Sequence, residues 1–94
     1  MNPEQARRLI REIAKSGWLR LTGHCRLRMQ ERNVTMDDLL QALLWGDIRE
    51  LTANPGRQNW ECLVKGQDIE HEPLTVKVAI LEEDFALLCI TVHG

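Results

Sequence analysis

The chain has 94 residues, with 44% hydrophobic and 28% charged side chains and a formal net charge of −2. This length supports one small domain over residues 1–94 and leaves little room for a deep cofactor cavity. No apolar run approaches the roughly 20 residues that span a bilayer, and the polar N-terminal segment differs from a signal peptide. We therefore expect a cytoplasmic protein with no membrane partner and no cofactor.

The cysteines argue against two kinds of cross-linked small domain. Three widely spaced cysteines without a C-x-x-C pair argue against a disulfide framework and against a zinc or other metal site, so Cys25, Cys62 and Cys89 are interpreted as small core residues.

The charges are distributed unevenly along the chain. Residues 1–34 carry eight Arg or Lys and three Glu, a net charge of +5, whereas residues 35–94 carry four cations and eleven acids, a net charge of −7. This division predicts either a basic surface for a polyanion such as RNA, or two halves that neutralise each other on folding. The side chains predicted to contact RNA are Arg7, Arg8, Arg11 and Arg26.

Three helices are predicted first, because each apolar pattern with 3- and 4-residue spacing follows a capping side chain. The caps and approximate spans are Asn2 with residues 3–16, Thr22 with residues 23–33, and Thr35 with residues 36–45. Trp18 and Trp45 stand at helix ends and are interpreted as core or rim residues.

After Gly46 the apolar period changes to about two, which predicts strands over residues 48–51, 59–64, 74–81 and 85–93. The last two strands are expected to align two apolar rows across a three-residue loop. These rows are Leu74, Val76, Val78, Ile80 and Ala86, Leu88, Ile90, Val92. The order of elements predicts an α+β fold in which three N-terminal helices pack on one face of a four-stranded antiparallel sheet.

The second helix carries the most informative pattern. His24, Arg28 and Arg32 recur at i, i+4 and i+8, so one edge of the helix presents an imidazole and two guanidinium groups. Cys25 and Met29 direct this edge towards the body of the domain, where a cation must be paired or must line a cleft. Two interpretations remain open: an anion site suited to phosphate, or ion pairs between these arginines and strand carboxylates such as Glu50 or Glu61.

The pattern H-x-x-x-R-M-x-x-R, followed by V-T-x-x-D-L, W-G-D-I and a terminal hairpin ending in I-T-V, resembles the small bacterial domain-of-unknown-function family 4258. The resemblance covers residues 23–93 as a toxin-like core, with residues 1–16 as an N-terminal helical extension. The family is thought to be similar to the RelE, barnase and colicin-type ribonuclease toxins. The resemblance implies an endoribonuclease, or a relative of one, that is held by a small antitoxin protein, and it identifies His24, Arg28, Arg32 and Thr91 as site residues.

Metal-free RNA cleavage needs a base, an acid and cations around the phosphate. His24 is the candidate acid or base, Arg28 and Arg32 are the candidate electrostatic stabilisers, and the further candidates are Lys77, Thr91 and His93. If the helices cover the face of the sheet that carries Val76, Lys77 lies on the opposite face, so the two sets meet only at a sheet edge. The alternative function is a non-catalytic RNA-binding or protein-interaction module of the same fold.

Overall fold

The structure is a computed structural model that describes residues 1–57 and 59–94. Three helices and five strands follow one another along the chain: α1 Pro3–Ser16, β1 Leu19–Leu21, α2 Gly23–Arg32, α3 Met36–Trp45, β2 Asp47–Asn54, β3 Asn59–Gln67, β4 Pro73–Leu81 and β5 Ala86–His93. The strands form one sheet in the order β1-β5-β4-β3-β2.

The three predicted helices are present, and each begins at its predicted cap. The side chains of Asn2, Thr22 and Thr35 accept hydrogen bonds from the backbone amides three residues further on. These bonds satisfy amides that have no partner within a helix. Hydrogen bonds within the first turn therefore fix where each helix begins, independently of tertiary packing.

The prediction of a four-stranded antiparallel sheet is wrong, although the α+β class is correct. Leu19–Leu21, between α1 and α2, forms a fifth strand that pairs in parallel with Leu87–Cys89 of β5. The sheet is therefore mixed. A three-residue strand has no readable periodicity, and its partner lies at the other end of the chain. It covers part of an edge of β5 that would otherwise expose unpaired backbone groups.

One face of the sheet and the three helices share a single hydrophobic core. The helices contribute residues such as Ile10, Met29 and Leu43, and the strands contribute Val78 and Leu87. We call this side of the sheet the covered face. All three cysteines are buried in this core, as predicted.

Two glycines let α3 approach β3 closely. A Cβ on Gly46 would lie 2.6 Å from the carbonyl oxygen of Ala42 and 2.6 Å from Cγ1 of Val64. A Cβ on Gly66 would lie 2.8 Å from the same carbonyl oxygen. Any side chain at either position would force the end of α3 away from the sheet.

The pairing of β4 with β5 differs from the prediction. The connecting loop has four residues, 82–85, instead of three, and the register shifts between Lys77 and Val78. As a result Val78 pairs with Cys89 and Ile80 pairs with Leu87, while Ala79 pairs with Leu88. Leu87, Cys89 and Val92 face the core, so the predicted row of Ala86, Leu88, Ile90 and Val92 is correct at Val92 and shifted by one residue before it.

The opposite side of the sheet, which we call the open face, carries polar residues at the centre. Lys77 pairs with Thr91, and Thr75 pairs with His93, as the alternation predicts. Glu61 pairs with Ala79, the next open-face residue of β4 after Lys77. The two faces of the same strands therefore differ in chemistry residue by residue.

Candidate functional site

Helix α2 is fastened to the sheet at its first turn. The hydroxyl of Thr22 accepts a hydrogen bond from the Cys25 amide at 3.0 Å and donates one to the carbonyl oxygen of Ile90 at 2.9 Å. The Thr22 amide also donates to the carbonyl oxygen of Cys89 at 3.1 Å. This one residue continues the pairing of β1 with β5 and caps α2, so the helix begins directly beside β5.

The other end of α2 reaches the end of β5. Nη1 of Arg32 lies 3.5 Å from the position that a Cβ on Gly94 would occupy. The helix therefore runs alongside β5 from Ile90 to Gly94, beyond the segment that β1 covers. Thr91 and His93, which lie on the open face, belong to this stretch of the strand. The sheet edge is the place where the helix residues and the open-face residues were expected to meet.

Burial on α2 separates its inner side from the row formed by His24, Arg28 and Arg32. Cys25 is fully buried and Met29 is 7% exposed, so they hold the helix in the core. Within the row, His24 and Arg32 are exposed and Arg28 is half-buried. We refer to these three side chains as the His24 row.

The cations of the His24 row are not neutralised by the sheet. Arg28 Nη1 lies 3.7 Å from Oε1 of Glu31 on the same helix, with side chains that are 31% and 52% exposed. Glu61 instead accepts a hydrogen bond from Nδ2 of Asn54 at 2.9 Å. Among residues 1–57 and 59–94, neither Arg28 nor Arg32 pairs with a strand carboxylate, so the ion-pair interpretation with Glu50 or Glu61 is wrong.

A shallow cavity of about 270 Å³ opens on the sheet near the Lys77 side chain. Glu50 and Glu61 line it together with Lys77 and Thr52. Glu50 occupies a register shift in β2 and has a φ of 52°, a conformation that is uncommon for a residue other than glycine. The structure thus brings two carboxylates close to Lys77, which was predicted as a candidate site residue.

Sequence reasoning missed the position of Glu61 as a candidate acid or base. It considered this carboxylate only as an ion-pair partner for an arginine. The available signal was alternation: Glu61 precedes the buried Cys62, so it faces away from the core. Its proximity to Lys77 depends on the pairing of β3 with β4, which spacing along the chain does not give.

The four arginines predicted to contact RNA fall in different places. Arg8 is exposed on α1, whereas Arg7 and Arg11 are half-buried, and the Nε atom of each lacks a hydrogen-bond partner among the described residues. Arg26 lies about 160° around α2 from Arg28 at 100° per residue. It lines a separate cavity of about 580 Å³ together with Gln30 and Met36. The structure therefore does not bring Arg26 to the His24 row.

The cysteine thiols are unsuited to nucleophilic chemistry. Burial raises the pKa of Cys62 to about 11. Burial, with a smaller contribution from Cys25, raises the pKa of Cys89 to about 12. Burial also raises the pKa of Cys25, against a smaller lowering by Arg26. Thiolate is the reactive form, so these groups stay unreactive near neutral pH.

Among the described residues there is neither a metal-binding cluster nor a membrane-spanning helix. No group of three or more His, Cys, Asp or Glu side chains lies close enough together to hold a metal ion. Likewise, no helix in residues 1–57 and 59–94 is long and apolar enough to cross a membrane.

A protein-family model covers most of the chain, from the last residue of β1 to the end of β5. The model of the family described as a domain of unknown function, DUF4258, matches residues 21–93. The chain is therefore a member of the DUF4258 family. Helix α1 lies outside the matched range and packs against α3, β2 and β5. No curated protein and no solved structure matches the chain.

Proposed function

We propose that this protein is a metal-independent endoribonuclease of a toxin–antitoxin pair, similar to the RelE, barnase and colicin-type ribonuclease toxins. The observation that carries the proposal is the course of α2 along the end of β5. From this course we infer that the His24 row lies at the edge of the open face that bears Lys77 and Thr91. Cations without strand partners beside a polar sheet surface suit the phosphates of RNA in the cytoplasm.

The chemistry requires two proton transfers and charge stabilisation. A base removes the proton of a ribose 2′-hydroxyl, whose oxygen attacks the adjacent phosphorus while the bond from phosphorus to the 5′-oxygen breaks. An acid donates a proton to that 5′-oxygen, and the products are a 2′,3′-cyclic phosphate and a free 5′-hydroxyl. In the proposal, His24 supplies one proton transfer, and Arg28 and Arg32 stabilise the charge that develops on the phosphate oxygens.

The second proton-transfer group is expected on the open face. Glu61 is half-buried and has a hydrogen-bonded carboxylate, and His93 lies on the same side of the sheet near the end of α2. Lys77 adds a cation near Glu61, and Thr91, its neighbour on β5, adds a hydroxyl. These four residues give the open face the acid–base and donor groups that the His24 row alone lacks.

An antitoxin partner follows from the same proposal, because an active ribonuclease must be restrained in the cell that makes it. The His24 row offers exposed cationic groups that an acidic segment of a small protein would neutralise. Such a segment would block access of RNA to the same edge of the sheet.

The test is cleavage of end-labelled single-stranded RNA in EDTA, with a second arm that supplies messenger RNA on translating ribosomes. Wild-type protein is expected to yield fragments that end in a 2′,3′-cyclic phosphate in at least one arm. His24→Ala is expected to reduce the rate by about 10²- to 10⁴-fold. The control is His71→Asn, because His71 is exposed in the 68–72 loop and its φ of 67° is tolerated by Asn.

Absence of cleavage by wild type in both arms would overturn the enzyme proposal. Binding of RNA that weakens steeply with salt would then support a non-catalytic RNA-binding module. Unchanged cleavage by His24→Ala would remove His24 from the mechanism.

A further inference from the structure

A third cavity, of about 500 Å³, lies between the end of α3 and the β3–β4 end of the sheet. We call it the Trp45 cavity. Its lining includes Gln41, Trp45, Lys65, Gln67, Thr75 and Gly94. This volume lies within the range of about 300–1,000 Å³ that small-molecule groups occupy in proteins.

Trp45 is held at the rim of this cavity and is 67% exposed. Its position follows from the close contact of Gly46 and Gly66 with α3, which fixes the last turn of the helix against β3. The guanidinium carbon of Arg11 lies over the Trp45 ring, 5.7 Å from the ring centroid. Arg11 does not line the cavity, so the ring contributes another part of its surface there. A large aromatic ring supported by a cation and open to solvent suits stacking against a second planar group.

The polar groups of the cavity suit a nucleobase. The amides of Gln41 and Gln67 each combine donors with an acceptor, and the Thr75 hydroxyl does the same. Lys65 and Asp47, which pair across β3 and β2, add a cation and a carboxylate at the wall. Base edges present the same mixture of donors and acceptors around a planar ring, and sequence-tolerant stacking on aromatic side chains is a common way to bind single strands.

The cavity adjoins the proposed phosphate site at Gly94. Gly94 lines it, and Nη1 of Arg32 lies 3.5 Å from the Cβ position of that glycine. Thr75, another lining residue, pairs with His93 on the open face. A base in the cavity would therefore have its backbone phosphate next to the last member of the His24 row.

We propose that the Trp45 cavity binds one unpaired nucleobase of single-stranded RNA, stacked on Trp45, with the attached phosphate against Arg32. The inference rests on the proposed function for its ligand class, and it names Trp45 as the residue that holds RNA next to the cleavage site.

The test uses RNA that cannot be cleaved, so that binding is measured apart from catalysis. A fluorescein-labelled single-stranded 2′-O-methyl oligonucleotide is compared with an abasic oligonucleotide of the same length and charge, by fluorescence anisotropy. Trp45→Ala is expected to weaken binding of the base-containing strand by about 5- to 150-fold, the range reported for loss of one base–aromatic stack. Binding of the abasic strand is expected to stay within twofold of wild type.

Two variants make the result specific. Trp18→Ala is the matched control, because Trp18 is 64% exposed and does not line the cavity. It is expected to bind both strands as wild type does. Trp45→Phe keeps an aromatic ring and is expected to recover most of the affinity.

Equal binding of both strands by wild type, or wild-type affinity in Trp45→Ala, would overturn the inference and leave the Trp45 surface to a protein partner. A parallel loss for both strands would also overturn it, because the contact would then not involve a base. Cleavage by wild type together with unchanged RNA affinity in Trp45→Ala would overturn the base site and leave the proposed function intact. Reduced affinity of Trp45→Ala for the base-containing strand, without cleavage by wild type, would support the base site and overturn the proposed function.

Discussion

The same strands form both faces of the sheet, but the two faces carry different kinds of side chain. On the covered face, Val78, Ile80 and Leu87 are fully buried beneath the helices. On the open face, Lys77 directly precedes Val78 and Thr91 directly precedes the buried Val92, and both are half-buried. Because neighbouring side chains of a strand point in opposite directions, stability and candidate chemistry are separated by a single residue along the chain.

Helix α2 is the element that joins the two faces. It buries Cys25 and Met29 in the core and lies along the end of β5 with the His24 row. A change on its inner side is therefore expected to affect folding, whereas a change in the row is expected to affect binding and catalysis. The loss in free energy of unfolding is expected to decrease from substitutions in the core to substitutions in the His24 row.

The largest effect is expected for a matched pair of leucines in β5. Leu87 is fully buried on the covered face, and Leu88 is half-buried on the open face. Leu87→Ala is expected to lower the free energy of unfolding by about 2–5 kcal/mol, and Leu88→Ala by less than about 1 kcal/mol. Urea denaturation measures both. A larger loss for Leu88→Ala would mean that the strand has the register expected from the sequence.

A smaller loss in free energy of unfolding is expected for Gly66→Ala, at the contact between β3 and the end of α3. Gly66→Ala places a Cβ 2.8 Å from the Ala42 carbonyl oxygen and 2.9 Å from Ala42 Cα. We expect a loss of about 1–3 kcal/mol in urea denaturation, because backbone must move to relieve the contact. Gly23→Ala is the control, since no atom lies within 4 Å of its Cβ position and alanine favours the helix. Equal stability of the two variants would contradict the close packing of α3 on β3.

Asp38 links α3 to the loop after β3, and its effect depends on pH. Its carboxylate accepts hydrogen bonds from the amides of Thr35 at 2.9 Å and Ile69 at 3.1 Å. At neutral pH, Asp38→Ala is expected to lower the free energy of unfolding by about 1.5 kcal/mol. Asp37→Ala, an exposed neighbour in the same turn, is expected to cost about 0.5 kcal/mol through the helix dipole.

The pH dependence of this effect has a definite sign. The Thr35 amide holds the pKa of Asp38 below its ordinary value of 3.8. The folded state therefore favours the carboxylate, so the contribution of Asp38 is complete above the unfolded pKa and is lost as pH falls through the lower folded pKa. The difference in stability between wild type and Asp38→Ala is expected to shrink in acid. A difference that stays constant between pH 7 and pH 2 would contradict these hydrogen bonds.

The smallest effect on stability is expected for Arg28, although its effect on RNA binding is large. Its ion pair with Glu31 is long and partly exposed, so Arg28→Ala is expected to change the free energy of unfolding by no more than about 0.5 kcal/mol. Affinity for single-stranded RNA is expected to fall, with the slope of log K against log salt reduced by about 1. Arg26→Ala, on the opposite side of α2, is expected to leave that slope unchanged. A melting temperature lowered by many degrees in Arg28→Ala, with unchanged RNA binding, would assign Arg28 a structural role.

The helices were predictable from the sequence because their signals are local. Asn2, Thr22 and Thr35 each form a hydrogen bond within the first turn, and this bond depends only on residues three positions apart. Strand β1 was not predictable, because three residues carry no period and their partner strand is the last in the chain. The register of β5 was missed because a longer loop and a shift in pairing moved its apolar row by one residue.

The candidate site was predictable only in part. The spacing of His24, Arg28 and Arg32 identifies one edge of a helix, since this follows from the helical period alone. The proposed place of that edge beside Thr91 depends on the hydrogen bond of Thr22 to β5, and the place of Glu61 near Lys77 depends on strand pairing. Such contacts are set by the tertiary fold, which a single sequence does not encode in any local pattern.

The most direct test of the account is a titration of isotope-labelled protein with non-cleavable single-stranded RNA, followed by NMR amide shifts. An RNA site at the edge of the open face predicts saturable shifts at His24, Arg28, Lys77 and Thr91, and small shifts at Met36 and Asp37, which lie at the start of α3. Shifts confined to Met36 and to the side of α2 that carries Arg26, or no saturable shift at any concentration, would contradict an RNA site at the edge of the open face.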